Sequence, residues 1–256
     1  MAALPGREAA AVVRLNSMPQ SGTVFLSIIM PVLNEGAGLN AFIEQVLDLV
    51  GEGNQVIVVD GGSQDDSFNQ LNDLSESKAN LVLVNSIKGR ALQMNAGAKV
   101  AVGENLLFLH ADTYLPNTII YQLEKFSETL FLWGRFDVRL NNSAWPYKII
   151  SWFINKRSRL TAISTGDQAI FVRRNVFEQI KGYKQQPLME DIDLTHRLKK
   201  LSLPFCIPIP VVTSARKWEK GGVIQTIWLM WKLRAAYARG VSPEVLVMQY
   251  YPDYYK

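Results

Sequence analysis

The segment that begins at Asp60 combines an acid with residues that form tight turns. It closes an apolar run, 55–60, that predicts a buried strand, and the glycines that start at Gly61 leave room for a ligand to approach the backbone. A strand-to-helix turn explains the same residues equally well, with Ser63 or Asp65 capping the helix. A binding role and a turn role therefore both remain open for this segment.

His110 and Asp112 stand at the end of a second apolar run, 105–110, where alternate residues point the same way. A carboxylate at Asp112 could hold a divalent cation, which would neutralise a nucleotide diphosphate and stabilise it as a leaving group. The alternative is that Asp112 caps the following turn and that His110 is a hydrogen-bonded histidine at a strand end.

Three further acids stand in the second half of the sequence. Asp167 precedes a predicted short strand, 168–172, and Glu190 and Asp191 begin a predicted helix that extends to residue 201. Adjacent acids at a helix start are commonly only partners of the helix dipole. A carboxylate there could instead deprotonate an acceptor hydroxyl during displacement at a sugar carbon.

The elements that must position these acids alternate between strands and helices. Apolar runs predict strands over 24–30, 55–60, 81–84 and 105–110, and apolar residues at helical spacing predict helices over 39–50, 68–74 and 91–102 and after Pro116. This alternation predicts an α/β fold with a mostly parallel central sheet flanked by helices. Ligands bind such sheets beyond the carboxyl ends of the strands, where Asp60 and Asp112 are expected.

The second half also contains two apolar segments rich in aromatic residues, 145–155 and 223–233. The second belongs to a predicted helix over 223–239, and Ser242 is the expected cap of a further helix, so amphipathic helices are predicted for this part of the chain. Both segments could be core helices. Their flanking basic residues, Lys156, Arg157 and Arg159 after the first, also fit helices that lie in a membrane interface. Neither segment is long enough to span a bilayer.

Composition narrows the class of ligand. The 256 residues carry a net charge of only +4, which suits a phosphorylated ligand or an anionic membrane surface. No basic run with interleaved aromatic residues indicates nucleic-acid binding. One cysteine excludes a disulfide within the sequence and permits a reducing compartment. The expected location is therefore the cytoplasm, at the inner face of the membrane if the aromatic segments dock there.

The order of the motifs resembles that of glycosyltransferase family 2. Along the chain come MPVLNE (30–35), VVDGGSQD (58–65), KGR (88–90), HAD (110–112) and ED (190–191). This order, over roughly residues 25–215, is far more specific than any single motif. Longer strings are similar to a bacterial subgroup of that family: GRALQMNAGA, LLFLHADTYLP, WGRFDVRL, TGDQAIFVRR, LMEDIDL and GVSPE.

The resemblance implies a GT-A fold, which is Rossmann-like, over residues 23–215. Residues 1–22 are then a flexible leader and residues 216–256 a C-terminal helical extension. The implied activity is transfer of a sugar from a nucleotide-diphosphate donor to an acceptor hydroxyl, with inversion at the anomeric carbon. The acceptor is not identified by the sequence; a lipid or other membrane-borne molecule would fit the aromatic segments.

The resemblance also implies roles for matching positions. Asp112 matches the last acid of the family's DxD motif and would bind Mg²⁺ or Mn²⁺. Asp191 would be the catalytic base, with Glu190 orienting the acceptor or the base. The residues expected to bind the nucleotide sugar are Asn34, Glu35, Asp60, Gly61, Arg90, His110, Asp112 and Asp167.

Two departures from the family pattern refine these expectations. His110 replaces the first acid of the DxD motif, which bears on ribose recognition. The segment 214–218 is only faintly similar to the QxxRW motif of processive members, so one sugar is expected per event.

Three other classes of protein fit this sequence less well. A sugar nucleotidyltransferase would need a basic, glycine-rich loop after its first strand, and residues 31–36 lack one. A nicotinamide-dependent dehydrogenase would need GxGxxG there, which is also absent. A catalytically inactive GT-A interaction domain would be favoured by loss of Asp112 or Asp191, and both are present.

Overall fold

The computed structural model describes residues 13–14 and 24–251 of the chain, and the description below concerns those residues. They form one nine-stranded sheet in the order β1-β4-β3-β2-β5-β8-β7-β9-β6. The strands are β1 (Val13–Arg14), β2 (Leu26–Val32), β3 (Gln55–Asp60), β4 (Leu81–Asn85), β5 (Asn105–Phe108), β6 (Thr113–Tyr114), β7 (Trp133–Leu140), β8 (Phe171–Arg173) and β9 (Phe205–Thr213).

Ten α-helices accompany the strands of the described ranges. They are α1 (Leu39–Val50), α2 (Ser67–Ser77), α3 (Arg90–Val100), α4 (Ile119–Ser127), α5 (Trp145–Thr161), α6 (Arg174–Gln179), α7 (Glu190–Leu198), α8 (Arg216–Gly221), α9 (Val223–Ala238) and α10 (Pro243–Tyr250). Two short 3-10 helices, Gly36–Gly38 and Gly166–Gln168, lie in loops.

Both faces of the sheet are covered, which is why its central strands read as unbroken apolar runs. Every residue of β2 and β3 is buried. Ile28 belongs to a core cluster that includes α1 and α4, whereas its neighbour Ile29 belongs to a second cluster that includes α3, α6 and α7. Successive side chains of one strand therefore supply two separate helix layers.

The parallel part of the sheet is formed by β4, β3, β2 and β5, which pair in that order. The predicted α/β fold, with helices flanking the sheet, is confirmed. Beyond β5 the sheet is mixed, since β8 is antiparallel to β5 and β7, and β9 is parallel to β7. The carboxyl ends of the parallel strands meet at one edge, as the sequence indicated.

The strand β9 was not predicted from the sequence. Its two prolines, Pro208 and Pro210, each remove a backbone donor, which is unusual within a sheet. The pairing with β7 accommodates them through a bulge, because Phe136 pairs with Ile207 and Asp137 pairs with Pro210. With the bulge in place, β9 continues to Thr213 at the edge where the cavity described below opens.

The helices after β9 pack back onto the sheet-containing part of the chain. Leu233 of α9 and Leu246 of α10 share a buried cluster with Leu188 and Met189, which directly precede α7. The expected extension, residues 216–256, thus includes α8, α9 and α10, and residues 252–256 lie outside the described residues. Most of the expected leader, residues 1–22, also lies outside them. The described pair within it, Val13–Arg14, is antiparallel to β4.

No helix among the described residues is long and apolar enough to cross a membrane.

Candidate active site

A cavity of about 1030 Å³ opens at the carboxyl ends of the parallel strands. It is bordered by the ends of β2 and β9, by the segment after β5, and by the first residues of α3 and α7. Seven of the residues expected to function line this one cavity: Glu35, Arg90, His110, Asp112, Asp167, Glu190 and Asp191.

Three other expected residues, Asn34, Asp60 and Gly61, are not among the described residues that line the cavity. The Asp60 carboxylate is buried and accepts hydrogen bonds from the backbone N–H groups of Gly62 and Ser63, at 2.8 and 3.0 Å, and from the Ser63 hydroxyl. The Asn34 side chain accepts a bond from the backbone N–H of Gln64 at 2.8 Å. In this structure Asp60 and Asn34 therefore shape the loops that border the site.

Gly61 is required by packing inside the protein. A Cβ at this position would lie 2.9 Å from the side-chain nitrogen of Gln93. That nitrogen donates to the carbonyls of Val32 and Val59, at 2.8 and 2.9 Å, and so joins the ends of β2 and β3 to α3. The space that Gly61 leaves open is thus filled by Gln93, as a structural interpretation of the motif would require.

One end of the cavity gathers Asp112 with two arginines. The Asp112 carboxylate lies 3.6 Å from the guanidinium of Arg216, and Arg90 stands at the start of α3. Burial alone would lower the pKa of Arg90. The interactions of its charge with Tyr251 and with nearby carboxylates are together larger than this effect, so the pKa of Arg90 is raised. Burial and the negative charge of Asp112 raise the pKa of Glu35. This end carries the cationic groups that a diphosphate would need.

His110, which replaces the first acid of the DxD motif, is half-buried and packs beside Gly166. Burial, helped by the charge of Arg90, lowers the pKa of His110 to about 4, so the imidazole is neutral at pH 7. A Cβ on Gly166 would lie 2.6 Å from the His110 ring nitrogen Nε2. The imidazole thus fills the space beside Gly166, in the loop that carries Asp167.

The acid pair at the start of α7 is held by backbone geometry. Met189, the residue before the helix, adopts a left-handed backbone conformation with φ 64°. Residues other than glycine rarely adopt this conformation. One oxygen of Asp191 accepts from the backbone N–H of Gly166 at 2.9 Å, and the other accepts from that of Ile192 at 2.7 Å. These bonds fix the carboxylate at the cavity wall.

Burial changes the proton affinity of both acids. It is the main cause that raises the pKa of Glu190 to about 7, and the adjacent negative charge of Asp191 adds to it. Burial likewise raises the pKa of Asp191. A carboxylate in this environment is a stronger base than one in water, which is the property required of a group that removes a proton from a hydroxyl.

Sequence reasoning missed three basic residues of the cavity: Arg157, Lys217 and Arg234. Arg157 was taken as part of a basic cluster beside a membrane segment, but its side chain lines the cavity. Lys217 lies with its ammonium 3.0 Å from the centre of the Tyr250 ring, and burial, helped by Arg90, lowers the pKa of Lys217 to about 7. The available signal was the spacing of Arg157 four residues after Phe153, which places both on one helix face.

The described residues could hold a divalent cation only together with the phosphates of a bound ligand. Among the described residues, no group of three or more His, Cys, Asp or Glu side chains could enclose a metal ion. Asp112 does present a carboxylate to the cavity, next to basic groups suited to phosphates. Mg²⁺ is commonly bound in this manner, by one or two carboxylates together with the phosphates of a substrate.

The fold and the position of the cavity define an α/β protein with its candidate ligand site at the carboxyl ends of a parallel sheet. The family model described as glycosyl transferase family 2 matches residues 27–181, which is more than half of the chain. The chain belongs to glycosyl transferase family 2. The match ends before Glu190 and Asp191.

Known relatives are similar over parts of their length. An Escherichia coli UDP-Glc:alpha-D-GlcNAc-diphosphoundecaprenol beta-1,3-glucosyltransferase is 30% identical over 41% of this chain and 41% of its own. An Aeromonas hydrophila undecaprenyl-phosphate 4-deoxy-4-formamido-L-arabinose transferase is 30% identical over 58% of this chain and 48% of its own. The chain thus spans less than half the length of these two curated relatives.

The solved structures show the fold. A mannosyltransferase from Pyrobaculum calidifontis, solved in complex with GDP-Man and Mn²⁺, has a TM-score of 0.59 and 19% identity, covering 88% of this chain and 69% of its own. The fold is the GT-A fold, as the resemblance implied.

The raised pKa of Glu190 leads to a prediction about stability. The folded protein holds this proton more tightly than the unfolded chain, whose ordinary pKa is 4.5, so wild-type stability falls as pH rises from 4.5 to about 7 and stays low above it. Glu190→Gln has no proton to lose. The free energy of unfolding of Glu190→Gln minus that of wild type should therefore increase between pH 4.5 and about 7. The increase is at most about 1.4 kcal/mol for each unit by which the pKa of Glu190 differs between the folded and unfolded states.

Urea unfolding at pH 5 and pH 8 measures this difference, with Glu124→Gln as an exposed control on α4. The control should show no comparable change between the two pH values. A Glu190→Gln effect that is equal at pH 5 and pH 8 would contradict the prediction.

Proposed function

We propose that this protein is an inverting, metal-dependent glycosyltransferase that moves a single sugar from a nucleotide-diphosphate sugar to an acceptor hydroxyl. The observation that carries the proposal is that Asp112, the buried Glu190 and the half-buried Asp191 line one cavity of a GT-A fold. Membership of glycosyl transferase family 2 supports the reaction class.

The end of the cavity around Asp112 is the proposed donor site. Arg90 and Arg216 supply positive charge for a diphosphate, and Glu35 and His110 border the same space. Mg²⁺ or Mn²⁺, bound by Asp112 together with the diphosphate, would neutralise charge on the leaving group. The E. coli relative is named for a UDP-Glc donor, and the Pyrobaculum structure contains GDP-Man and Mn²⁺.

Asp191 is the proposed base, with Glu190 beside it. As the acceptor oxygen forms a bond to the anomeric carbon, its proton passes to the Asp191 carboxylate. The bond from that carbon to the diphosphate oxygen breaks, and its electron pair leaves with the nucleoside diphosphate. Because attack and departure occur on opposite faces of the carbon, the configuration is inverted.

Among the alternatives, no observation favours a sugar nucleotidyltransferase, and the family match supports the transferase. An inactive interaction domain would have no need to keep a buried and a half-buried acid side by side at a cavity wall, because removing charge from water costs free energy.

The aromatic helices support an acceptor that is borne by a membrane. On α5 and α9, Trp152 and Trp228 are 54% and 69% exposed, and each has a lysine near its ring. Exposed aromatic and basic side chains on one helix are typical of contact with an anionic lipid surface. Both relatives described above are named for undecaprenyl-linked substrates.

Asp112→Ala should weaken metal-dependent donor binding by about a hundredfold, because the cation clamp on the diphosphate is worth several kcal/mol. Calorimetric titration of a panel of nucleotide-diphosphate sugars, with Mn²⁺ or with EDTA, measures this. Asp48→Ala, an exposed acid on α1, is the control and should bind as wild type does. Unchanged affinity of Asp112→Ala in Mn²⁺ would remove Asp112 as the metal ligand.

Asp191→Asn should reduce transfer by about a hundredfold or more while leaving donor affinity within about twofold, because it removes the base and retains the shape. The measurement is release of nucleoside diphosphate from the donor found in the panel, with water or a lipid-diphosphate-linked sugar as acceptor. Asp193→Asn, on the same helix and paired with Arg197, is the matched control. Normal turnover by Asp191→Asn would show that another group is the base.

Membrane contact predicts that the protein floats with vesicles that contain anionic lipid at low salt, and less so at high salt. Replacing Trp152 and Trp228 together with serine should reduce the bound fraction several-fold, since interfacial aromatic area is lost. Tyr121→Ser, an equally exposed aromatic on α4, is the control. Absence of flotation by the wild type at low salt would rule out this contact.

A further inference from the structure

Two arginines, Arg157 of α5 and Arg234 of α9, line the cavity with buried nitrogen atoms that have no hydrogen-bond partner in the described part of the chain. These atoms are Nε and Nη2 of Arg157 and Nε of Arg234. Buried polar groups are nearly always paired, and a guanidinium carries five N–H donors in a planar fork. These unpaired donors belong to two side chains that line a cavity, and such side chains point to a ligand that accepts hydrogen bonds.

The charges of the two side chains favour an anion. Burial lowers the pKa of Arg157 to about 10, and the positive charge of Arg234 is the next largest cause. Burial also lowers the pKa of Arg234. Two guanidinium groups held near each other and partly out of water repel, and a bound anion between them would remove that cost.

The acids near these arginines do not already supply that anion. Asp167 and Asp191 partly offset the positive charge. Both oxygens of Asp191, however, accept bonds from backbone N–H groups. Within the described residues, neither arginine forms an ion pair with either acid.

The approach to the two arginines is apolar. On α5, Ile149, Phe153 and Arg157 recur every four residues and all line the cavity. On α9, Ile227, Trp231 and Arg234 follow at spacings of four and three and also line it. Residues at these spacings share one helix face. Each helix therefore presents an apolar stripe that ends in an arginine.

The apolar residues of both stripes are also open to solvent. Phe153 and Trp231 are 60% and 72% exposed, although both line the cavity. The stripes thus form the mouth of the cavity on this side, with the guanidinium groups further in. Charge at the inner end and exposed apolar area at the mouth match a molecule with an anionic head and an apolar tail.

We propose that Arg157 and Arg234 bind the phosphate of an amphiphilic acceptor, whose apolar chain leaves the cavity along the stripes of α5 and α9. That the ligand is the acceptor rests on the proposed function; that it is an amphiphilic phosphate rests on the side chains alone. The donor diphosphate has other cationic partners, Arg90 and Arg216 near Asp112. Asp112 is among the charges that act on Arg90, whereas the acids that act on Arg157 and Arg234 are Asp167 and Asp191, the proposed base.

The test is calorimetric binding of farnesyl phosphate to the full chain, below its micelle concentration, compared with farnesol and with inorganic phosphate. Wild type should bind farnesyl phosphate at least about tenfold more tightly than either, because each of the others lacks one half of the ligand. Arg157→Gln and Arg234→Gln should each weaken binding by about tenfold or more, the loss expected for a hydrogen bond to a charged group.

Lys148→Gln on α5 and Arg239→Gln beside the end of α9 are the matched controls. Each removes one exposed positive charge outside the cavity lining, so each should bind within about twofold of wild type. Arg157→Lys keeps the positive charge but loses the planar set of guanidinium donors. Its affinity for farnesyl phosphate should therefore lie between those of wild type and Arg157→Gln. Thermal unfolding of every variant establishes that a loss of binding is not a loss of folding.

Several outcomes would overturn the proposal. Equal binding of farnesyl phosphate by wild type and both glutamine variants would show that the arginines do not hold the phosphate. Equal binding of farnesol and farnesyl phosphate would exclude recognition of the anion. Equally tight, arginine-dependent binding of inorganic phosphate would assign the site to a water-soluble phosphate and exclude the apolar tail.

The same variants separate this proposal from the proposed function. Titration with the nucleotide-diphosphate sugar that binds wild type should give unchanged affinity in Arg157→Gln and Arg234→Gln. Loss of donor affinity in both would assign the arginines to the donor and overturn the inference. If wild type bound no nucleotide sugar yet bound farnesyl phosphate through both arginines, the proposed function would fail while the amphiphile site stood.

Discussion

The constraint on which the site depends is that two adjacent carboxylates, one buried and one half-buried, are held partly out of water. Glu190 and Asp191 are placed at the cavity wall by the left-handed turn at Met189, and the backbone of Gly166 and Ile192 satisfies the oxygens of Asp191. Buried charge is costly unless it is compensated, so the basic side chains that converge on this region are part of the same arrangement. The loop at Gly166, the start of α7 and the helices that carry the arginines must therefore be positioned together.

Much of this could be predicted from the sequence, because strand ends are local features. The apolar run that forms β5 correctly placed Asp112 at the edge of the sheet where the cavity opens. The same reasoning could not distinguish Asp112, which faces the cavity, from Asp60, whose carboxylate is used by the turn that follows it. That difference is decided by a few backbone N–H groups whose direction no residue pattern specifies.

The parts that sequence reasoning missed depend on contacts between distant segments. Proline pairs argue against a strand, and only the bulge opposite Phe136 explains how β9 tolerates them. Arg157 and Arg234 lie on helices whose apolar residues suit a membrane interface and a cavity mouth equally well. Whether a given side chain points away from the protein or lines the cavity depends on how α5 and α9 pack on the rest of the chain. The side-chain amide of Asn155 fixes α5 to Val138 of β7, since it accepts from the backbone N–H and donates to the backbone carbonyl of Val138, both at 2.9 Å.

The packing of α10 on α9 has a consequence for how the two ends of the cavity communicate. Leu233 of α9 is buried with Leu246 of α10, and Tyr250 at the end of α10 lines the cavity beside Lys217. One helical hairpin therefore borders both the arginine pair and the region around Asp112. If one ligand favours a position of this hairpin that binds the other ligand better or worse, the two affinities are coupled, and the effect is equal in both directions because binding free energies form a closed cycle. Order of substrate binding and retention of the product would then be properties of α9 and α10, without any contact between the two ligands.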